Sequence, residues 1–442
     1  MRYWTPIAAT TLAAATLALA GASLAEAKTQ VTWWHAFAPE GKLGQTLIRF
    51  TEEFNASQDE FEVVPVHKGS YYETLNAAIA AYRAKKHPVI VQVVGRGANT
   101  MMLSGAVYPV HQLMQDTGND IDWSRFIAPV LAAFSDDTGP AAMPFNTSTP
   151  ILWYNVEAFE KAGIDKAPRT WDELGEAGRR VKAAGYKCGI TSAWQIWVHR
   201  DNYSFIQDQP IATKGNGMDG LDAEFVYNKT RFVDQVTRVR DWIKEGIYTY
   251  TGRTWQGGHE AFYAQQCPIF LESSAGYGGI EKNATFKFAA SYLPVEADNA
   301  EPKNSFLGGA ALWVMKGHDK AQYEGAAKFF AFLASPEKQL DWHKNTGYVP
   351  ISLDAYEMGK KEGYYEQYPH QEVAILSLNR TPPTANTRGT RLGFDVENTE
   401  ILNEELERVW ALEKEPQAAL DDAVRRSNDN LRRFERTASA SN

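Results

Sequence analysis

The chain has 442 residues and carries 45 Lys and Arg against 54 Asp and Glu, a formal charge of −9. This acidic balance, without a cluster of basic residues, argues against nucleic acid as a partner, because phosphate backbones are held by grouped Lys and Arg. A hydrophobic fraction of 44% with 22% charged residues excludes a disordered or collagen-like chain, and the length suits two or three domains.

The first residues, Met1-Arg2-Tyr3-Trp4, carry one positive charge, and Ile7 to Ala22 is an uncharged Ala/Leu/Thr run. Ala25-Glu26-Ala27 then offers small residues at the cleavage positions, so residues 1–27 read as a secretory signal peptide cut after Ala27. The apolar run is too short and too Thr-interrupted for a membrane span, and no Cys follows the cut to take a lipid. A protein soluble outside the cytoplasm is expected.

Val31 to Trp34 reads as a strand, and Lys42 to Glu53 as a helix with Leu43, Leu47, Phe50 and Phe54 on one face. Phe61 to Val66 is the next strand, Tyr72 to Lys85 a helix, and Val89 to Val94 an apolar strand. Strand and helix in alternation predict a parallel sheet covered on both faces. The alternation resumes with a strand at Ile151–Tyr154, helices at Val156–Ala162 and Trp171–Ala184, strands at Cys188–Thr191 and Pro268–Leu271, and a helix at Arg231–Lys244 between them. Phe306 to Val314 returns as a strand with Gly308-Gly309 inside it, and helices dominate from Ala321 onward. Two α/β units predict two lobes with a ligand cleft between them.

The chemistry of an enzyme is hard to find. There is no G-x-S-x-G elbow, His259-Glu260 lacks the second His of a zinc-protease helix, and Gly95-Arg96-Gly97 lacks the third glycine of a dinucleotide fingerprint. Neither Cys188 nor Cys267 has a companion at metal-ligand spacing, so no metal and no cofactor is expected; the two form one disulfide or remain two buried thiols. What stands out is small polar residues and glycines at strand ends: Ser148, Ser273 in Ser273-Ser274-Ala275-Gly276, and Gly309. Trp194 and Trp197 follow a strand, where an indole can cover the C–H face of a polyol or meet a quaternary ammonium. The bland readings are turn chemistry and a core aromatic pair.

Taken together, Lys68-Gly69-Ser70-Tyr71, Thr100-Met101-Met102, Pro144 to Pro150, Lys187-Cys188-Gly189, Leu307 to Ala310, Thr346-Gly347-Tyr348 and Arg391-Leu392-Gly393 carry a family resemblance. From about Val31 to Phe434 the chain resembles the periplasmic sn-glycerol-3-phosphate-binding proteins of Ugp-type uptake systems, within the extracellular solute-binding protein family 1. The resemblance implies an α/β, two-lobed periplasmic binding protein fold with a hinge and an interlobe ligand cleft. It also implies a non-enzymatic, monomeric component of an ABC importer that hands glycerol 3-phosphate or a glycerophosphodiester to a membrane permease. A binder of a neutral or differently charged glycoside or polyol is the alternative, and a secreted carbohydrate-active enzyme a remote one.

The implied lobes are 28–147 with 300–343, and 148–299 with 344–442. Carried over by resemblance, the ligand residues are Tyr71, Ser148, Trp194, Trp197, Ser273, Gly309 and Tyr348. Two positions depart from the family: Gly95 stands where a Glu binds the glycerol hydroxyls, and Thr399 where an Arg pairs with phosphate. Arg96 and Arg391 are the candidate compensating cations.

Overall fold

The structure is a computed structural model that describes residues 1, 3 and 27–440. Nearly all of the expected signal peptide therefore lies outside the described residues. Among them, no helix is long and apolar enough to cross a membrane.

Two sheets organise the chain. In chain order the strands of these two sheets are β1 (Thr29–His35), β2 (Phe61–His67), β3 (Ile90–Val94), β4 (Val107–Tyr108), β5 (Met143–Ser148), β6 (Pro150–Asn155), β7 (Ile190–Ser192), β8 (Tyr248–Tyr250), β9 (Ile269–Ser273), β10 (Phe288–Ser291) and β11 (Gly308–Met315). The first sheet has the order β2-β1-β3-β11-β4, with β5 also paired to β11. Its first three strands are parallel, as the alternation predicts, and β11 runs antiparallel to its neighbours. The second sheet has the order β8-β7-β9-β6-β10. The lobes of the fold are built on these two sheets.

Helices pack against the first sheet. The helix Lys42–Ser57 buries Leu47, Phe50 and Phe54 of the stripe read from the sequence, with Leu43 half-buried. The helix Tyr71–Arg83 begins at a capping box: Ser70 Oγ accepts the Glu73 amide at 3.3 Å, and the Glu73 carboxylate accepts the Ser70 amide at 2.6 Å. That cap satisfies orphan amides and fixes Tyr71 as the first helical residue. In the second lobe the helix Trp171–Ala183 has its own capping box, from Thr170 and Glu173.

The chain crosses between sheets at Thr149, which separates β5 from β6, and again between β10 and β11. Tyr348 to Ile351 lies against the first sheet: the Val349 amide donates to Thr147 O at 2.7 Å, and the Ile127 amide to Ile351 O at 2.9 Å. This stretch stays with the first lobe rather than leaving it at residue 344. Leu392 to Leu431 packs into the second lobe's core with Trp171, Phe205 and Leu271.

Cys188 and Cys267 form a disulfide with Cα atoms 4.8 Å apart, which resolves the alternative left open by the sequence. It ties the starts of β7 and β9, at the opposite end of β9 from Ser273.

Candidate functional site

The strand ends converge on the seam between the two sheets. Ser148 closes β5 and pairs in register with Gly308, while Gly309 pairs with Thr147. Gly309 has φ +101, and a Cβ there would stand 1.7 Å from Asn146 O, so only glycine lets β11 approach β5 this closely. The register shifts just beyond, between Ala310 and Ala311. Such irregularities re-aim side chains at strand ends. In the second sheet Ser273 pairs with Pro150, and the Ser274 amide donates to Thr149 O at 3.0 Å. The crossing segment Ser148-Thr149-Pro150 therefore brings Ser148 and Ser273 to the same place. Ser273 Oγ also accepts the Ala275 amide at 3.1 Å, which orients the hydroxyl.

Two tyrosines from distant parts of the chain join this cluster. The Tyr71 and Tyr348 hydroxyls are 3.3 Å apart, and Asn146 Nδ2 donates to the Tyr71 hydroxyl at 2.8 Å. Asn146 Oδ1 in turn accepts Gln92 Nε2 at 2.8 Å, and Gln92 Oε1 accepts the Ala36 amide at 2.8 Å. Gln92 and Asn146 are fully buried. A buried amide chain of this kind is worth keeping only when each member is satisfied, and here it holds the phenols in place. Burial, and secondarily Tyr348, pushes the Tyr71 phenol well above its usual range; burial raises Tyr348 as well. Both hydroxyls stay protonated and can donate.

Trp194 has φ +46, a left-handed conformation that costs a bulky residue energy and tends to occur where function demands it. It opens a turn into a π-helical segment, Ile196–Asn202, another irregularity associated with sites. Trp197 in that segment donates from Nε1 to Leu307 O at 3.4 Å and lies on Gly308, where a Cβ would come within 2.4 Å of the ring. The pair is thus not merely a helical core stripe: Trp197 reaches from the second lobe onto β11 of the first.

The departures behave differently. Gly95 lies in a 3-10 turn after β3, with Gly309 O 3.9 Å from the place of a Cβ, an ordinary van der Waals contact. Thr399 is buried in the helix Asp395–Trp410, its hydroxyl donating to Asp395 O at 2.7 Å. Arg96 does not offer its charge to the cleft: it pairs with Asp201, and Nη1 donates to Asp395 at 3.0 Å. The two carboxylates hold its charge firmly, raising its pKa against the opposing effect of burial. Arg391 donates from Nη2 to Ser135 O at 2.8 Å. Arg96 is committed to two carboxylates, and Arg391 is directed at a backbone carbonyl.

Sequence reasoning did not single out Gln92, Asn146, Asp201 or Asp395. A lone amide inside the apolar run Val89–Val94 is the signal that points to Gln92; the two aspartates carry none. Among the described residues no group of three or more His, Cys, Asp or Glu is placed to hold a metal.

A family model described as a bacterial extracellular solute-binding protein matches residues 49–372. The sn-glycerol-3-phosphate-binding periplasmic protein UgpB of Yersinia pestis bv. Antiqua (strain Antiqua) is 43% identical over 93% of this chain and 94% of its own. Its namesake from Salmonella typhimurium (strain LT2) is 40% identical over 94% of this chain and 95% of its own. Among solved structures, UgpB from Mycobacterium tuberculosis in complex with glycerophosphocholine superposes with a TM-score of 0.79 at 19% identity, covering 92% of this chain and 99% of that one.

Proposed function

Because the chain belongs to the bacterial extracellular solute-binding proteins, we propose that it captures sn-glycerol 3-phosphate or a glycerophosphodiester and delivers it to the permease of an ABC importer. The observation that supports the ligand reading is that the Tyr71 and Tyr348 hydroxyls lie 3.3 Å apart beside Asn146, which abuts Gly309, while Ser148 and Ser273 flank the crossing segment. Two phenols, two serine hydroxyls and one bare stretch of backbone are what a polyol phosphate needs: neutral hydrogen-bond groups held in place, with the indoles of Trp194 and Trp197 for its C–H face.

Between the two ligands the diester is favoured. Thr399 is neutral, and Arg96 and Arg391 are engaged elsewhere, so the site suits one negative charge better than the nearly two of a phosphomonoester at neutral pH. The M. tuberculosis relative, with its glycerophosphocholine, points the same way. The protein works as a binder rather than an enzyme, returns its ligand unchanged, acts as a monomer without nucleic acid, and resides in the periplasm after cleavage behind Ala27.

A ligand held only by the folded state at a hundredfold excess over its Kd stabilises by about 2.7 kcal/mol. A melting screen over glycerol 3-phosphate, glycerophosphodiesters and neutral glycosides should therefore give its largest shift with a diester. Absence of any shift with the first two classes would sink the reading.

A further inference from the structure

The one charged bridge just described lies on the seam. Arg96 follows β3 of the first lobe, whereas Asp201 lies in the last turn of the π-helical segment and Asp395 opens the helix Asp395–Trp410, both in the second. The Arg96 side chain is 13% exposed, and those of Asp201 and Asp395 are 1% and 5% exposed. One guanidinium thus spans two nearly buried carboxylates from the opposite lobe, a planar fork that a lysine cannot reproduce. Asp201 has a second cation within its own lobe, Arg200 Nε at 2.7 Å. Asp395 has none among the described residues: its other oxygen, Oδ1, is buried without a hydrogen-bond partner, and Arg96 is what compensates the carboxylate.

We propose that Arg96 is a latch, caught by Asp201 and Asp395 when the lobes close, that holds the closed state independently of the ligand's own charge. The inference rests on the two-lobed architecture and not on which ligand is bound. Separating the lobes carries Arg96 away from both carboxylates. Asp201 then keeps Arg200, while Arg96 and Asp395 pass to water. Desolvation nearly cancels the attraction of a buried bridge, so an intact latch adds little net drive to closure. Removing one partner is different, because it strands a buried charge that only opening can relieve. The latch therefore fixes one closed geometry and slows reopening, and Arg96 is a positioning residue that touches no ligand.

The test compares wild type with Arg96→Gln and Asp395→Asn, each first checked by melting for a folded state. Ligand-free solution scattering should give a larger radius of gyration for both variants, more so for Arg96→Gln, since Asp395→Asn leaves the Asp201 arm. Stopped-flow tryptophan fluorescence should show ligand release faster by about tenfold or more in Arg96→Gln, with association rates within about threefold, as is usual when an interaction acts on dissociation. The factor should be the same for glycerol 3-phosphate and glycerophosphocholine. A loss confined to the phosphomonoester would mean that Arg96 contacts phosphate and would overturn the latch, as would wild-type radii and release rates in both variants. If neither compound binds wild type, the ligand reading has failed and the scattering comparison alone decides the latch. Should Arg96→Gln not fold, Asp395→Asn decides, with a smaller effect of the same sign.

Discussion

Thr149 donates its hydroxyl to Ser305 Oγ at 2.8 Å, and these two residues sit on two segments that cross between the lobes. The same hydroxyl lies 3.2 Å from Phe306 O, and the Ser305 amide donates to Ser377 O at 2.9 Å. The crossings are knitted by neutral hydrogen bonds, while the charged bridge lies out at the seam. A short neutral hinge can bend without breaking an ion pair, which suits closure about a few loop residues.

Thr149→Val keeps the shape and removes the hydroxyl, leaving the Ser305 oxygen without its donor. Urea unfolding should show a loss of about 1–3 kcal/mol, the usual cost of stranding a buried polar group. An unchanged midpoint would mean that the hydroxyl pair does not tie the crossings.

Gly309→Ala asks a Cβ to occupy a left-handed residue against Asn146 O. The conformational penalty of about 1–2 kcal/mol and an overpacking cost of about 1–3 kcal/mol should together cost roughly 2–5 kcal/mol of stability. Calorimetric titration should show affinity lost as well, because the proposed site lies at the ends of β5 and β11.

Gly95→Glu should be tolerated, since the backbone there is right-handed and the nearest atom stands 3.9 Å from the new Cβ. Combined with Thr399→Arg it should raise glycerol 3-phosphate affinity by at least about tenfold, or 1.4 kcal/mol, a modest fraction of what charge-assisted bonds supply. Titrations at matched ionic strength decide this, because ion pairing is screened by salt. No gain in the double variant would place the phosphate contact on another residue.

Cys188→Ser with Cys267→Ser opens a loop spanning 79 residues of sequence separation. Chain entropy predicts a stability loss of roughly 4 kcal/mol. Affinity measured below the melting range should be unchanged, because the disulfide lies at the far end of β9 from Ser273, about 20 Å away at the usual strand rise.

His199 is buried, and burial lowers its pKa to about 3. The unfolded chain, with the ordinary value near 6.5, binds a proton that the folded state refuses. Its contribution is fully present above about pH 6.5 and is lost as pH falls toward 3, at up to about 1.4 kcal/mol per unit. His199→Gln should flatten the acid limb of the stability profile measured by denaturant unfolding between pH 4 and 6.5. An unchanged slope would assign the proton uptake to other groups, such as His343, which burial also lowers, to about 4.

Much of this protein is written locally. The apolar stripe of Leu47, Phe50 and Phe54, the strand-helix alternation to Val94, and the double glycine before Ala310 follow from periodicity and backbone sterics, which neighbouring residues alone decide. The motifs that carry the family resemblance are likewise short contiguous strings, so Tyr71, Ser148, Ser273, Gly309 and Tyr348 could be proposed as ligand residues before any fold was known. Weakly patterned segments were less legible. β8 and β10 have three and four residues, and β5 reads as a polar connection because Asn146, Thr147 and Ser148 are buried by the strand β11 rather than by their own pattern.

What only the tertiary structure decided is pairing across long separations. Whether Cys188 meets Cys267, which residues steady Tyr71, and what Arg96 faces all depend on distances between segments far apart in the chain. Arg96 sits 105 residues from Asp201 and 299 from Asp395. A charge written beside Gly95 looks free to meet a phosphate. Folding brings two carboxylates against it, and because a buried charge must be compensated, the partner it finds rather than its place in the sequence determines what it can do.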